Sequence, residues 1–258
     1  MCLIAFSHRR STAYPLVLIA NRDESYERAS VQAQFWDTDP DILAGRDLEK
    51  NGSWLGINRR GRFAAVTNFR EGLSDKKALR SRGLLVSEFL RNDASFSSYI
   101  ESCQAEAENY GGFNLLLGDE NGIYYLSNRD SHHRKLGYGV YAVSNAEIDS
   151  DWPKVSAARE QLDDVVQNAG VIDHIELLNI LANREVAIDE QLPDTNIGID
   201  WERKLSPMFI KTEDYGTRVS TVITIDNSAE VMFTERTYDR EGAVENENRY
   251  TFRIQRSR

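Results

Sequence analysis

The residue best suited to covalent chemistry in this chain is Cys2, which follows the initiator methionine. Methionine before a small residue is usually removed, and the chain would then begin with this cysteine. Such a cysteine carries a thiol nucleophile and an α-amine with a pKa of about 8, which can act as the base for the thiol. Cysteine is also among the most buried residue types, so core packing is the alternative interpretation of Cys2.

Two apolar runs near the N-terminus bring Cys2 beside a group of charged side chains. The runs cover residues 2–6 and 14–20, and a polar turn over residues 7–13 joins them. Adjacent apolar runs with a short polar connection are typical of an antiparallel strand pair. This pairing predicts that Cys2 lies close to the charged end of its partner, Asn21-Arg22-Asp23-Glu24.

Composition and charge exclude several classes of protein. The 258 residues carry a formal net charge of −10, and the pI is near 5.0. Nucleic acid and an anionic membrane surface are therefore not expected as partners, because both require a basic face. No apolar run approaches the roughly 20 residues that span a bilayer, and the N-terminus lacks the pattern of a signal peptide. We expect a cytoplasmic protein without a transmembrane segment.

The two cysteines, Cys2 and Cys103, are too few for a disulfide framework. Neither belongs to a CxxC or CxxCH motif, so structural zinc and covalent haem attachment are not expected. Cys103 falls within a predicted helix and is interpreted as a packing residue. No metal site is assigned.

Hydrophobic periodicity and turn residues divide the rest of the chain into elements. Residues 22–52 are predicted to be loop-rich, and residues 185–205 to be irregular. Further strands are predicted at residues 54–58, 62–68, 114–118, 122–126, 139–145, 218–226, 230–238 and 249–254. Helices are predicted at residues 84–91, 95–110, 152–168 and 175–183.

The order of these elements predicts the fold. Paired helices between groups of antiparallel strands favour an α+β protein, a four-layer αββα sandwich of two antiparallel sheets with the helices outside. No linker, repeat or low-complexity stretch divides the sequence. A single domain over residues 1–258 is therefore predicted.

Several motifs together resemble the NRDE family, the family of transport and Golgi organisation protein two. Its signature is Asn21-Arg22-Asp23-Glu24. The other matching stretches follow in the family's order over nearly the whole chain, at residues 52–58, 64–68, 143–145, 151–154, 215–218 and 220–222. This family in turn is similar to the N-terminal-nucleophile hydrolases, especially the bile salt hydrolase and penicillin V acylase group.

The second resemblance implies an N-terminal-nucleophile-hydrolase-like fold in which Cys2 attacks a non-peptide amide bond. Residues 56–61 running into Asn68 are similar to the oxyanion segment of those enzymes. Asn145 is similar to the asparagine that completes their oxyanion hole, and Arg218 matches a late active-site arginine. One oxyanion donor lowers the barrier by roughly 3 kcal/mol in such sites.

The same resemblance implies an arginine and a carboxylate on the strand that pairs with Cys2. An ungapped overlay puts Asn21 and Glu24 at those positions, and a shift by one residue puts Arg22 and Ser25 there. Arg22 is expected to lower the pKa of the thiol, and a carboxylate to hold the α-amine. Ligand-binding residues are expected at four positions, Asn21, Asp23, Glu24 and Trp54.

The NRDE resemblance also implies a role in intracellular haem trafficking, with haem as cargo and no required cofactor. The iron ligands that the sequence offers are Cys2, His8, His132, His133 and His174, together with eleven tyrosines. Against this, the histidine pair at 132–133 is typical of a solvated loop. His174 is expected to face water near a helix start, and His8 lies in an arginine-rich turn. Clusters that could receive the haem propionates are Arg9-Arg10 and Arg134-Lys135.

Three functions follow from these observations. We place the handling of haem or another small hydrophobic ligand first, on the family resemblance alone. A Cys2-dependent amide hydrolase follows closely, on the chemistry of the site. The third is a structural or adaptor role, in which the charged signature is a buried ion-pair network.

Overall fold

The computed structural model describes residues 2–72, 78–119, 122–130 and 133–255, and within them thirteen strands form two antiparallel sheets. In chain order the first seven strands are β1 Cys2–His8, β2 Leu16–Ser25, β3 Ser30–Trp36, β4 Asp39–Asp47, β5 Leu55–Asn58, β6 Phe63–Asn68 and β7 Phe113–Asp119. The remaining strands are β8 Gly122–Ser127, β9 Arg134–Leu136, β10 Gly139–Val143, β11 Tyr215–Ile225, β12 Glu230–Tyr238 and β13 Val244–Arg253. The six-stranded sheet has the order β10-β1-β2-β11-β12-β13, and the seven-stranded sheet runs from β3 to β9 in sequence order.

Helices cover the outer face of each sheet. Their bounds are α1 Gly83–Arg91, α2 Phe96–Ala105, α3 Pro153–Asn168, α4 His174–Leu181 and α5 Ile199–Leu205. Helices α1 and α2 share one apolar cluster with the seven-stranded sheet, and α3 and α4 share another with the six-stranded sheet. A third cluster fills the space between the sheets. The predicted α+β αββα sandwich is therefore confirmed.

The alternation of side chains along β1 and β2 explains why these strands read as almost continuously apolar. Ile4 and Phe6 enter the core between the sheets, whereas Leu3 and Ala5 pack under the helices. Both faces of the strand are buried, so both sets of positions are apolar. In the antiparallel register Cys2 lies opposite Arg22, as the hairpin prediction required.

The prediction of a loop-rich segment over residues 22–52 was wrong. Strand β2 continues through the charged signature to Ser25, and β3 and β4 follow it. The charged residues stay in the strand because β2 is flanked by β1 and β11, which satisfy its backbone hydrogen bonds. The predicted irregular segment over residues 185–205 also ends in a helix, α5.

The other predicted elements agree with the structure within a few residues. The second helix ends at Ala105 instead of 110, and a 3-10 turn at Ala107–Asn109 follows it. Ser95 caps this helix, because its hydroxyl accepts a hydrogen bond from the Ser98 amide. Cys103 is buried in the same helix. Residues 120–121, in the predicted turn between β7 and β8, lie outside the described residues.

His174 and His8 are buried, whereas the sequence predicted a solvent-facing position for His174 and a turn position for His8. His174 is buried, and its two ring nitrogens lie 2.8 Å and 3.0 Å from the hydroxyls of Thr234 and Thr224. His8 is the buried last residue of β1, with its ring bonded to the Gly137 carbonyl oxygen at 2.8 Å. Residue 132 lies outside the described part of the chain. No helix among the described residues is long and apolar enough to cross a membrane.

Candidate active site

Cys2 lines a cavity of about 400 Å³ at the end of β1. Cys2 is the first residue of β1, so the strand does not extend into the space in front of it. Most lining side chains are polar or charged, among them Arg22, Asp23, Glu24, Arg28, Asp47, Lys50, Asn68, Arg80 and Arg82. Trp54 and Val66 form part of the apolar wall. The cavity is therefore suited to a ligand with polar groups.

Arg22 is the cation opposite Cys2, and its surroundings hold it in place. Its guanidinium carbon lies 4.3 Å from the centre of the Trp54 ring, a cation–π contact. Its Nη2 lies 3.9 Å from Glu24 and 3.8 Å from Asp47. Its buried Nη1 has no hydrogen-bond partner within the described residues. Arg22 is therefore held at the cavity by the Trp54 ring and two carboxylates.

Asp23 is the buried carboxylate beside Cys2. Its Oδ1 accepts a hydrogen bond from the Thr217 hydroxyl at 2.7 Å, and its backbone carbonyl oxygen accepts one from Tyr215 at 2.7 Å. Thr217 is opposite Asp23 in the register of β2 and β11. Burial raises the pKa of Asp23, and the cation that lowers it most among described groups is Lys154. Asp23 is thus the buried carboxylate that follows Arg22 on β2, a position that neither overlay of the signature assigned to the carboxylate.

Asn68 and Asn145 are close together but have different environments. Asn68 ends β6 and lines the cavity. The Asn145 side chain donates to the Asn68 backbone carbonyl oxygen at 2.9 Å and lies outside the cavity lining. Neighbouring Ser144 donates to the Cys2 carbonyl oxygen at 3.0 Å. Asn145 therefore supports Asn68, whereas the resemblance implied that both face the oxyanion.

Two further predicted site residues are not brought to the cavity. Asn21 faces the helices, where its amide donates to the carbonyl oxygens of Leu181 and Met208 at 2.9 Å and 2.8 Å. Arg218 donates to the carbonyl oxygens of Ser25 and Tyr26 at 3.0 Å and 3.1 Å. It lies at the irregularity where the β2–β11 register shifts, so its side chain fixes the turn after β2 instead of lining the site. The structure therefore places neither Asn21, predicted to bind a ligand, nor Arg218, predicted to be catalytic, in the lining of this cavity.

Arg22 was expected to lower the pKa of the Cys2 thiol, but the surroundings as a whole raise that pKa. Burial is the dominant influence and raises the pKa of Cys2, while Arg22 lowers it by less. Asp23 and Glu24 also raise it, because a neighbouring negative charge disfavours a thiolate. Burial therefore disfavours the thiolate form of Cys2, so a base beside the thiol would favour its attack.

Three buried charged residues near the site had no individual signal in the sequence. Lys154, from the first turn of α3, is 4% exposed, and its amine donates to the Leu205 carbonyl oxygen at 2.8 Å. Arg70, two residues after β6, forms an ion pair of 2.8 Å with Glu202 of α5. Lys154 belongs to a stretch that matches the NRDE family, and this was its only indication.

The described residues offer no cluster of three or more metal-ligating side chains. Of the candidate cysteine and histidine ligands within the described part of the chain, only Cys2 lies at the cavity. His8 is six residues further along β1, which corresponds to about 20 Å. His174 already uses both ring nitrogens in bonds to threonine hydroxyls. Neither histidine can ligate a group bound at Cys2.

Residues 1–240 match a family model described as Transport and Golgi organisation 2. The Transport and Golgi organization protein 2 homolog of Bos taurus is 36% identical over 260 residues, covering 92% of this chain and 92% of that protein. The Mus musculus homolog is 32% identical over 280 residues, covering 99% of this chain and 100% of that protein. These matches confirm the family resemblance seen in the signature.

Two solved structures share the architecture at low sequence identity. The Caenorhabditis elegans ortholog of N-acylethanolamine-hydrolyzing acid amidase has a TM-score of 0.52 and 10% identity, covering 86% of this chain and 92% of that chain. The C2A mutant of conjugated bile acid hydrolase from Clostridium perfringens has a TM-score of 0.54 and 11% identity, covering 98% of this chain and 92% of that chain. At such identities the likeness shows the fold alone, and it confirms the N-terminal-nucleophile-hydrolase-like sandwich.

Proposed function

This chain belongs to the Transport and Golgi organisation 2 family, and we propose that it hydrolyses a non-peptide amide bond with Cys2 as the nucleophile. The observation that carries the proposal is the meeting of Cys2, Arg22 and Asp23 at one cavity. Such a reaction needs a thiol nucleophile, a cation and a carboxylate close to the N-terminus that Cys2 forms once Met1 is removed. The reaction requires the loss of Met1, because only then does Cys2 carry a free α-amine.

The first half of the reaction forms a thioester. The α-amine of Cys2 takes the thiol proton, and the sulfur attacks the carbonyl carbon of the amide. The tetrahedral oxyanion accepts a hydrogen bond from the Asn68 side chain, which would lower the barrier by roughly 3 kcal/mol. The C–N bond then breaks, and the leaving amine takes the proton back from the α-ammonium group.

The second half regenerates the enzyme. The α-amine removes a proton from water, and the resulting hydroxide attacks the thioester carbonyl carbon. The C–S bond breaks, the sulfur recovers a proton, and a carboxylic acid leaves. Asp23 holds the α-amine in place through both halves.

The expected location of the protein is the cytoplasm, as in the sequence analysis. The proposed reaction uses no cofactor.

The proposed substrate is an N-acyl amide with a polar or anionic portion. Its polar portion would face Lys50 and Arg82 at the cavity, and Trp54 and Val66 would contact an apolar portion. The two structural neighbours are named for N-acylethanolamines and conjugated bile acids, which are both amides of this kind. These two classes are the first substrates to test.

Haem or small hydrophobic ligand handling is the second candidate. The feature in its favour is the basic part of the cavity lining, since Lys50 and Arg82 could receive the carboxylates of such a cargo. We rank it below hydrolysis because the cavity is lined mainly by polar and charged residues and neither buried histidine is within reach. A titration that shows a saturable Soret shift at one haem per chain would support it.

The test of the hydrolase proposal uses protein whose N-terminus has been verified by intact-mass spectrometry. Samples beginning at Cys2 are incubated with N-acylethanolamines and with amino-acid conjugates of bile acids, and the released amine is measured. We expect release by the native protein and by C103A, the matched cysteine control, and none by C2A. Release that persists in C2A, or no release by native protein beginning at Cys2, would refute the proposal.

A further inference from the structure

A tight turn over residues 47–52 forms part of the wall of the active-site cavity. It begins at the last residue of β4 and contributes Asp47 and Lys50 to the lining. The Asp47 amide donates to the Gly52 carbonyl oxygen at 2.9 Å, and the Asn51 amide donates to the Asp47 carbonyl oxygen at 2.9 Å. Asn51 has a φ of 59°, in the left-handed region that asparagine tolerates. These contacts give the turn a defined shape.

The Asp47 carboxylate uses both of its oxygens. Its Oδ1 accepts hydrogen bonds from the backbone amides of Glu49 and Lys50 at 3.0 Å and 2.8 Å. Its Oδ2 accepts one from Arg28 Nε at 2.6 Å and lies 3.8 Å from Arg22 Nη2. Burial alone would raise the pKa of Asp47, but the bonds from Arg28 and the Lys50 amide hold it below its ordinary value. The ionised carboxylate therefore joins the turn to two arginines.

The five described cations that line the cavity differ in their surroundings. Arg22 and Arg28 each lie within ion-pair distance of two carboxylates of the lining. Arg80 pairs with two glutamates outside the lining, and Arg82 donates to a backbone carbonyl oxygen at 2.8 Å. The exposed ammonium group of Lys50 has no ion-pair partner within the described residues. Its positive charge is therefore available to a ligand.

The apolar part of the lining suits an acyl chain. Trp54, Val66 and Leu79 all line the cavity. Leu79 is 85% exposed, so a bound apolar group would remove its side chain from water and gain stability from the burial. A ligand that covers this wall and also reaches Lys50 has an apolar portion and an anionic group.

We propose that Lys50 binds the carboxylate of an N-acyl amino acid, and that Asp47 is the positioning residue that holds Lys50 at the cavity. The assignment rests on the proposed function and selects between its two substrate classes. The acyl chain lies against the apolar wall, so the carboxylate belongs to the amine portion. An N-acylethanolamine carries a neutral hydroxyl there and leaves the Lys50 charge without a counter-ion.

The test measures binding without turnover. Every sample carries C2A, which removes the nucleophile, and intact-mass spectrometry confirms that all samples share one N-terminus. Isothermal titration calorimetry at pH 7 compares N-octanoylglycine with N-octanoylethanolamine. The two probes share their acyl chain and differ in the charge of the amine portion. The changes added to C2A are K50Q, K50R, D47A and D47N.

The variants of Lys50 test the charge preference. We expect the C2A protein to bind N-octanoylglycine about fivefold more tightly than N-octanoylethanolamine, the upper range for an exposed ion pair. K50Q should abolish this preference and leave the affinity for the neutral probe unchanged, whereas K50R should keep the preference. An unchanged preference in K50Q would overturn the assignment.

The variants of Asp47 separate position from charge, because D47A and D47N remove the same negative charge. D47N keeps an oxygen that can accept from the amides of Glu49 and Lys50, and it should retain the preference. D47A leaves both amides without that acceptor, and it should lose the preference. A count of charges alone predicts tighter binding of the anion in both variants. Equal preferences in D47A and D47N would therefore overturn the positioning role.

The exposed position of Lys50 keeps the test decisive if D47A does not fold, since K50Q removes only a surface charge. No binding of N-octanoylglycine to the C2A protein would also overturn the assignment. Such a failure would leave hydrolysis of a neutral amide by Cys2 intact, because no turnover is measured here. Conversely, the binding preference can be present in a protein that cleaves no amide.

Discussion

Acidification should destabilise this protein through His174, and the size of the effect follows from its surroundings. The ring is packed between α4 and the six-stranded sheet, with a threonine hydroxyl at each nitrogen. Burial, with a smaller contribution from Arg249, lowers the pKa of His174 to about 4. In the unfolded chain the pKa is about 6.5, so the unfolded state binds the proton first as the pH falls.

The contribution of His174 to stability is therefore complete above pH 6.5 and is lost as the pH falls from 6.5 towards 4. The difference between the two pKa values corresponds to about 3 kcal/mol in total, of which about 2 kcal/mol should be lost between pH 7 and pH 4.5. Because the structure places the ring in a sealed position, little of this effect should be screened by solvent.

The assay is urea unfolding of native protein, H174Q and H133Q at pH 7 and pH 4.5. For each protein we compare the free energy of unfolding at pH 7 with that at pH 4.5. The native protein should lose more of it on acidification than H174Q. H133Q is the matched control, because His133 is exposed and its replacement should leave the loss unchanged. Equal losses in native protein and H174Q would refute the burial argument.

Three further predictions address packing, charge and catalysis. Gly45 lies so close to Trp54 that an added Cβ would overlap the ring, so G45A should destabilise the fold by about 1–3 kcal/mol. Gly170 has open space around it, so G170A is the control and should leave the stability unchanged. Thermal unfolding of both variants measures the difference. Burial raises the pKa of Glu235 to about 7, so stability should decline as the pH rises from 4.5 through 7, and E235Q should abolish this part of the decline in a pH series of unfolding curves. N68A should lower kcat for amide cleavage by roughly 10²- to 10³-fold in steady-state assays while the thermal unfolding temperature stays nearly constant.

Local pattern was sufficient to predict the hairpin that presents Cys2. Two apolar runs and a short turn determine that β1 and β2 pair, and the length of the turn determines the register that puts Cys2 opposite Arg22. The same reasoning failed after Arg22, because charged residues in a central strand look like a loop. Only the neighbouring strands and the ion pairs to Glu24 and Asp47 show why the strand continues.

The burial of the charged residues Lys154, Arg70 and Glu202 near the site could not be predicted in the same way. Lys154 and Glu202 are typical surface residues by composition, and neither has a local pattern that indicates burial. They become buried because the fold brings them against residues that are distant in sequence. Lys154 donates to the Leu205 carbonyl oxygen, and Glu202 pairs with Arg70. His174 was misplaced for the same reason, since a helix start is usually exposed and only the sheet beneath α4 covers the ring.

The central claim is that the Cys2 sulfur carries the acyl group during turnover. The most direct measurement is acid quenching of protein that begins at Cys2, within seconds of mixing with an N-acyl amide, followed by mass spectrometry of the N-terminal peptide. We predict a transient mass increase equal to one acyl group on Cys2, labile to hydroxylamine and absent from C2A. Amide cleavage without that adduct in any early sample, or an adduct on another residue of the C2A protein, would contradict the account.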